Sequence, residues 1–295
     1  MKRRALRHLP AALALAPAAL IVLVVYLGGS LWSAWISTTN SRILPNSNYI
    51  GNRQYLSLFS NTRWEFSISN LVLFGALFVI ISIVIGFLLA ILIDQKIKGE
   101  NFFRSFLLYP FSMSFIVTGL IWYWVLNPTM GLQKLGREWG FADFTFDWII
   151  RQDRVIYTLV AAAVWHAAGL VMAIALAGLR GIDEEIWKAS RVDGIPAWRT
   201  YISIVIPMLG ASLATSFVLL SISVVRLYDL VVSMTNGGPG LASEVPAKFI
   251  IDHLFDRQNI GLATAASTSV LIGVLAFLAP WAYIRYRQSR AGAHS

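Results

Sequence analysis

Six stretches of this chain contain no Asp, Glu, Lys or Arg: residues 11–35, 69–93, 106–126, 155–178, 203–225 and 262–284. Each is as long as the ~20-residue helix that crosses a hydrocarbon core. A charge at the centre of such a helix costs about 2.5–3.5 kcal/mol, so the exclusion is what spanning helices require. Buried helices of a large soluble protein are the competing reading. With 57% of 295 residues apolar and only 13% charged, too little polar sequence remains to cover six of them. The expected fold is all-α, a polytopic membrane bundle of six transmembrane helices. The first stretch follows Lys2, Arg3, Arg4 and Arg7, as a signal peptide would. Its apolar part of about 25 residues exceeds the about 7–15 of a cleavable one, and it is read as an uncleaved first helix.

Charge placement then sets orientation. With residues 1–10 inside, the inner segments 1–10, 94–105, 179–202 and 285–295 hold 14 Lys and Arg against 6 Asp and Glu. The outer segments 36–68, 127–154 and 226–261 hold 10 against 9, in longer loops. Basic residues concentrate in cytoplasmic loops, so both termini are expected in the cytoplasm. There is no cysteine, which excludes disulfides, thiolate metal sites and a Cys nucleophile.

The inner loop before the fifth stretch reads as a helix. Asp183 caps it, Glu184 and Glu185 occupy the first turn, Lys188 and Arg191 lie toward the other end, and Gly194 suits a left-handed stop. Pro196 and Trp198 open a second segment that runs to Pro207. A plain connector is short and irregular; an ordered, two-signed insert suggests a docking surface.

These residues carry a resemblance. Lys188-Ala189-Ser190, three further residues, Gly194, nine residues, then Ile204-Val205-Ile206-Pro207 is similar to the loop E-A-A-x3-G-x9-I-x-L-P of binding-protein-dependent ABC importer permeases. Asp193 matches the Asp-Gly pair of the sugar-importing branch. Two positions depart: the motif Glu is Lys188 and its second Ala is Ser190. In the last outer loop, Tyr228-Asp229-Leu230-Val231 through Met234-Thr235-Asn236-Gly237-Gly238-Pro239 resembles the F/Y-D-x-I/V-x-x-L/M-T-x-G-G-P segment of the first permease of carbohydrate importers. The continuation from Glu244 to Ala266 looks most like alpha-glucoside permeases.

The resemblance implies the ABC importer permease (MetI-like) fold over 66–287, with 1–65 and 288–295 as additions. It implies a coupling loop at 179–207, in which Glu185, Lys188, Ala189, Ser190, Asp193, Gly194, Ile204 and Pro207 face a separate motor. The implied partners are a second permease, two ATP-binding subunits, a periplasmic sugar-binding protein and the lipid bilayer of a bacterial inner membrane; no nucleic acid is implied. No G-x4-G-K-[ST] loop occurs. ATP and Mg are therefore expected on the partners, with no cofactor, metal or catalytic residue here.

Sugars bind on aromatic platforms flanked by polar groups. Trp122, Trp165, His166, Tyr228 and Asp229 are the candidates for a substrate path. Trp122 with Tyr123 and Trp124 fits an interfacial aromatic belt equally well. His166 fits a hydrogen bond to a neighbouring helix equally well. Asn70, Ser221 and Ser223 read as interhelical glue, and Ala163/Ala167 and Gly210/Ala214 as close helix packing. Asn236, Gly237, Gly238 and Pro239 make an outer turn. The rival classes are an ion-coupled secondary transporter, which would want carboxylates inside the spans, and a membrane enzyme using Asp229, Asp252, His253 and Asp256.

Overall fold

The computed structural model describes residues 15–95 and 97–291, and no side chain at 278 or 280–291. Lys2, Arg3, Arg4 and Arg7, and the last four residues of the expected cytoplasmic tail, lie outside the described residues. In chain order the helices are α1 (Leu15–Ile36), α2 (Arg53–Phe59), α3 (Thr62–Asp94), α4 (Glu100–Leu108), α5 (Phe115–Leu126), α6 (Leu132–Glu138), α7 (Val155–Arg180) and α8 (Glu184–Val192). They continue with α9 (Ala197–Met208), α10 (Gly210–Val225), α11 (Asp229–Met234), α12 (Pro246–Ile251) and α13 (Ile260–Ala291). Among the described residues the only β pairing is one antiparallel bridge, Thr39 with Tyr49.

Among the described residues four helices are long and apolar enough to cross a membrane: α1, α3, α7 and α13 over Ile260–Phe277. The third and fifth apolar stretches, expected as single helices, are bent pairs, by 99° between Glu100–Ser112 and Phe115–Leu126 and by 72° between α9 and α10. At the first bend a tight turn at Tyr109–Ser112 gives way to extended backbone at Met113. Ser114 then caps α5, its hydroxyl accepting from the Val117 amide at 3.3 Å. At the second, Pro207 has no amide to give the helix. The turns before it, Tyr201–Val205, widen, and the axis breaks at Leu209. Charge-free sequence on both sides of each break hides it from hydropathy.

Contacts group the chain into residues 65–248 and the remainder. Within 65–248, α7 is the central post, with 72% of its apolar window buried against 28% for α3. One apolar cluster joins Phe74 and Phe78 of α3, Leu159 to Val171 of α7, and Leu126, Ile149, Leu227, Leu230 and Val245. A second joins Ala90 and Ile93 to Met172, Leu176, Leu179, Val205 and Leu209. Glycines allow the closest approaches: a Cβ on Gly169 would stand 2.0 Å from the Leu107 carbonyl oxygen, and one on Gly119 1.9 Å from the Ser233 hydroxyl. Ala163 and Ala167 are buried. Gly210 has nothing within 4 Å of where its Cβ would be, so the expected Gly210/Ala214 packing is not made within this chain.

In the other group, residues 36–64 fold against 249–262. The Gln54 amide donates to the Thr39 carbonyl at 3.1 Å, and the Gly261 amide donates to the Ser41 carbonyl at 2.8 Å. Arg63 pairs with Asp252, and Trp64 meets Phe249 edge-on at 5.2 Å. His253 is buried and donates from Nδ1 to the Phe249 carbonyl at 2.8 Å.

Candidate functional site

The loop 179–207 forms the helix its sequence specifies. Asp183 Oδ1 accepts from the Glu185 amide at 3.0 Å. At the other end Gly194 has φ +68°. The Ile195 amide bonds back to the Ser190 carbonyl at 3.0 Å, and the Gly194 amide to that of Arg191 at 3.2 Å. These two bonds make a Schellman stop. Glu185, Lys188, Ala189, Asp193 and Gly194 are exposed, and Val192 (87% exposed) and Trp198 (65%) add bare apolar surface among them. Lys188, at the departed motif position, sits 3.6 Å from Glu184, an exposed pair worth a few tenths of a kcal/mol.

The opposite face is fastened. Ser190 is buried and donates to the Trp187 carbonyl at 3.1 Å. The Trp187 ring meets Tyr201 edge-on at 5.5 Å, and Tyr201 meets Phe87 of α3 at 6.4 Å. Where the loop leaves α7, Arg180 bonds Glu100 at 2.7 Å and lies 3.6 Å from Asp94, tying together the ends of α3, α4 and α7. Ile204 is half-buried and Pro207 exposed, on the run into the second bend.

The turn at 236–239, expected on the outer side, is also pinned. Asn236 and Gly237 have φ of +48° and +84°. The Ser243 hydroxyl donates to the Gly238 carbonyl at 2.6 Å and lies 2.8 Å from the Thr235 hydroxyl. The Asn70 amide of α3 donates to the carbonyls of Leu241 and Glu244, both at 3.0 Å. Asn70 thus joins a helix to a loop rather than helix to helix. A Cβ on Gly237 would come 2.7 Å from Glu244 Oε2 and 3.2 Å from Lys248 Cδ, so a side chain there would have to displace those two buried side chains at a φ that favours glycine. Pro239 follows within the same turn.

The five substrate-path candidates do not form one site. Trp165 lines a half-open groove of ≈ 630 Å³ with Tyr109, Tyr157 and Phe106, floored by Ala161, Ala168 and Gly169. Trp122 meets Trp165 edge-on at 6.0 Å, and its indole N–H is buried without a partner. His166 is buried and faces elsewhere. Its Nδ1 lies 3.1 Å from the Thr118 hydroxyl of α5 and its ring stacks on Phe115 at 4.3 Å. Tyr228 and exposed Asp229 stand at the start of α11, which packs on α5 at Gly119. Ser221 and Ser223, expected to link helices, return their hydroxyls to Phe217 and Leu219 of their own helix. Among the described residues no three His, Asp or Glu groups gather to hold a metal. The groove, the Asn70 clamp and the Trp187–Tyr201–Phe87 chain were not foreseen; the aromatic residues carried the only sequence signal for two of them.

Comparison with known proteins places this geometry. Residues 82–288 match the family model of the binding-protein-dependent transport system inner membrane component. A probable ABC transporter permease of Pyrococcus horikoshii is 31% identical over 92% of this chain and 94% of its own length. A xylose/arabinose import permease of Haloferax volcanii is 27% identical over 92% and 86%. A chain in the crystal structure of a bacterial ABC transporter that imports the acidic polysaccharide alginate superimposes with a TM-score of 0.82 at 15% identity, covering 97% of this chain and 98% of that one. The fold is that of ABC importer permeases, and the chain belongs to the family of binding-protein-dependent transport system inner membrane components.

Proposed function

We propose that this chain is one of two permease halves of an ATP-driven carbohydrate importer, turned so that α8 lies in the cytoplasm and both termini with it. Loop 179–207 is its coupling loop. The observation that carries the reading is α8 itself: capped by Asp183, stopped by Gly194, bolted to α3 on one face and bare on the other, at the motif spacing. A separate ATPase would grip the bare face. ATP binding closes the motor, the loop moves, and the bundle opens outward to receive sugar from a periplasmic binding protein; hydrolysis resets it. ATP and Mg sit on the motor subunits.

The substrate we assign is a carbohydrate, with an alpha-glucoside first to be tried. The resemblance of residues 244–266 to alpha-glucoside permeases supports that choice, and the substrates named for the pentose and alginate relatives support the wider class. The test is uptake and sugar-dependent ATP hydrolysis by the reconstituted complex across a panel of glycosides. Gly194→Asp places a charged side chain on the bare face and is expected to abolish uptake and ATPase coupling while the subunit still inserts. Normal uptake by that variant would show that the loop is not the coupling site. A complex that hydrolyses ATP without response to any carbohydrate would remove the substrate class.

A further inference from the structure

The two ends of α3 are attached to the two functional loops. Near one end, Phe87 receives the Tyr201 ring, which receives Trp187 of α8. At Asp94, where the helix stops, Arg180 approaches from the root of the same loop. Near the other end, Asn70 holds the Leu241 and Glu244 carbonyls of the outer turn. Between Asn70 and Phe87 lie 17 residues of helix, about 26 Å at 1.5 Å per residue.

The mechanical contrast with the other spans is direct. An unbroken helix carries every backbone hydrogen bond along its axis, so pushing one end moves the other. A span bent by 72° at Leu209, or by 99° at Met113 and Ser114, takes up the same push by flexing at its bend. The loop runs straight into α9 and α10, yet the break stands between it and the outer end of that span. α7 is also unbroken, but it is the buried central post, wedged on Gly169 and Gly178. α3 is the peripheral, continuous helix whose outer end bonds the turn.

We infer that α3 is the rod that carries displacement of the coupling loop to the outer turn, and that Asn70 is the positioning residue that hands it over. The inference rests on the importer reading above. It assigns long-range coupling to a rigid element whose two ends are each fixed to a loop, the kind of contiguous packed and hydrogen-bonded connection that can carry such coupling. Both Nδ2 hydrogens of Asn70 are used, so loss of the amide frees two carbonyls of the turn at once.

The experiment uses the full complex in proteoliposomes, with the binding protein loaded with its sugar as the probe. Maximal stimulation of ATP hydrolysis and the half-saturating concentration of binding protein are both measured. Asn70→Leu is expected to lower maximal stimulation about fivefold or more, the low edge of typical coupling between sites, with half-saturation little changed. Asn70→Gln, which keeps both donors, is expected to restore part of it. Should Asn70→Leu fail to assemble, Asn70→Asp removes the donors at constant shape. Tyr201→Leu cuts the inner attachment, and if the route is in series the double variant is no worse than the poorer single one. Unchanged stimulation in Asn70→Leu, a raised half-saturation with full stimulation, or multiplying losses in the double variant would each overturn the proposal. Failure of the wild-type chain to respond to any binding protein would instead strike the importer reading.

Discussion

Gly194 stops α8 with a positive φ, yet a Cβ there would meet nothing within 4 Å. The residue therefore answers to backbone conformation, and a side chain there would meet open space. Gly194→Ala is expected to cost only the ~1–2 kcal/mol of a left-handed alanine, read as faster hydrogen exchange at the Gly194 and Ile195 amides, while the helix persists. Asp183→Ala should fray the other end by about 0.5–2 kcal/mol. A titrating residue outside the spans behaves differently. Burial, with the neighbouring Arg257 and Arg63 charges, holds the His253 imidazole below its ordinary value of 6.5, against the opposing pull of the Phe249 carbonyl and Asp252. The folded form then binds fewer protons than the unfolded form once pH falls below about 6.5, so stability falls as the medium is acidified through that value. The protection factors of the amides at residues 249–259, taken after division by the intrinsic exchange rate at each pH, should fall between pH 7 and pH 5, and His253→Gln should flatten that dependence. A flat profile in the unaltered protein would show that His253 is not held neutral.

The elements show which sequence signals translate into structure and which do not. Four of the six charge-free runs became helices long and apolar enough to cross a membrane and the other two became bent pairs; the runs are legible because a charge deep in hydrocarbon is costly whatever the surrounding sequence. The α8 signals were legible because capping and the left-handed stop are local, decided by Asp183 and Gly194 within a few residues of each. The bends were not legible. Ser114 and Pro207 turn the chain without altering its polarity, so the third and fifth runs read as straight. Glycine roles were not legible either, because the partner atom lies far along the chain: Gly169 meets Leu107, Gly119 meets Ser233, and Gly210 meets nothing. Of the aromatic candidates, period and composition could not say that Trp165 faces the groove while His166, one residue on, faces Thr118. The glycines give a matched test. Gly169→Ala must displace backbone and should cost about 1–3 kcal/mol, as overpacked cores do. Gly210→Ala should be neutral or slightly stabilising. Thermal unfolding of the two variants in one detergent should separate them clearly; equal midpoints would mean that α4 can shift away from α7 freely.

At the scale of the molecule, the residues from 65 to 248 present two ends, and the loops sort between them. Arg180, Asp94 and Glu100 draw the roots of the segments after α3 and after α7 together at one end. Leu126, Ile149, Leu227 and Val245 share an apolar cluster toward the other. This is the alternation that the charge-free runs impose, so within 65–248 which loops share an end follows from the fold, while charge sets the expectation of which end is cytoplasmic. The segments 94–105 and 179–202 at the first end carry seven basic and six acidic residues; the sequence expectation groups them with 1–10 and 285–295, for 14 against 6, versus 10 against 9 in 36–68, 127–154 and 226–261, and a basic excess is retained on the cytoplasmic side during insertion. Because the chain has no cysteine, single introduced thiols report sidedness without background. Glu184 on α8, with 79% of its side chain exposed, and Asp143 in the 127–154 loop, also exposed, are suitable positions. Glu184→Cys should react with a membrane-impermeant maleimide in inside-out vesicles and stay unlabelled in intact spheroplasts, and Asp143→Cys should do the reverse. The opposite pattern would put α8 outside the cell, where no ATPase could reach it, and the coupling assignment would fall with the orientation.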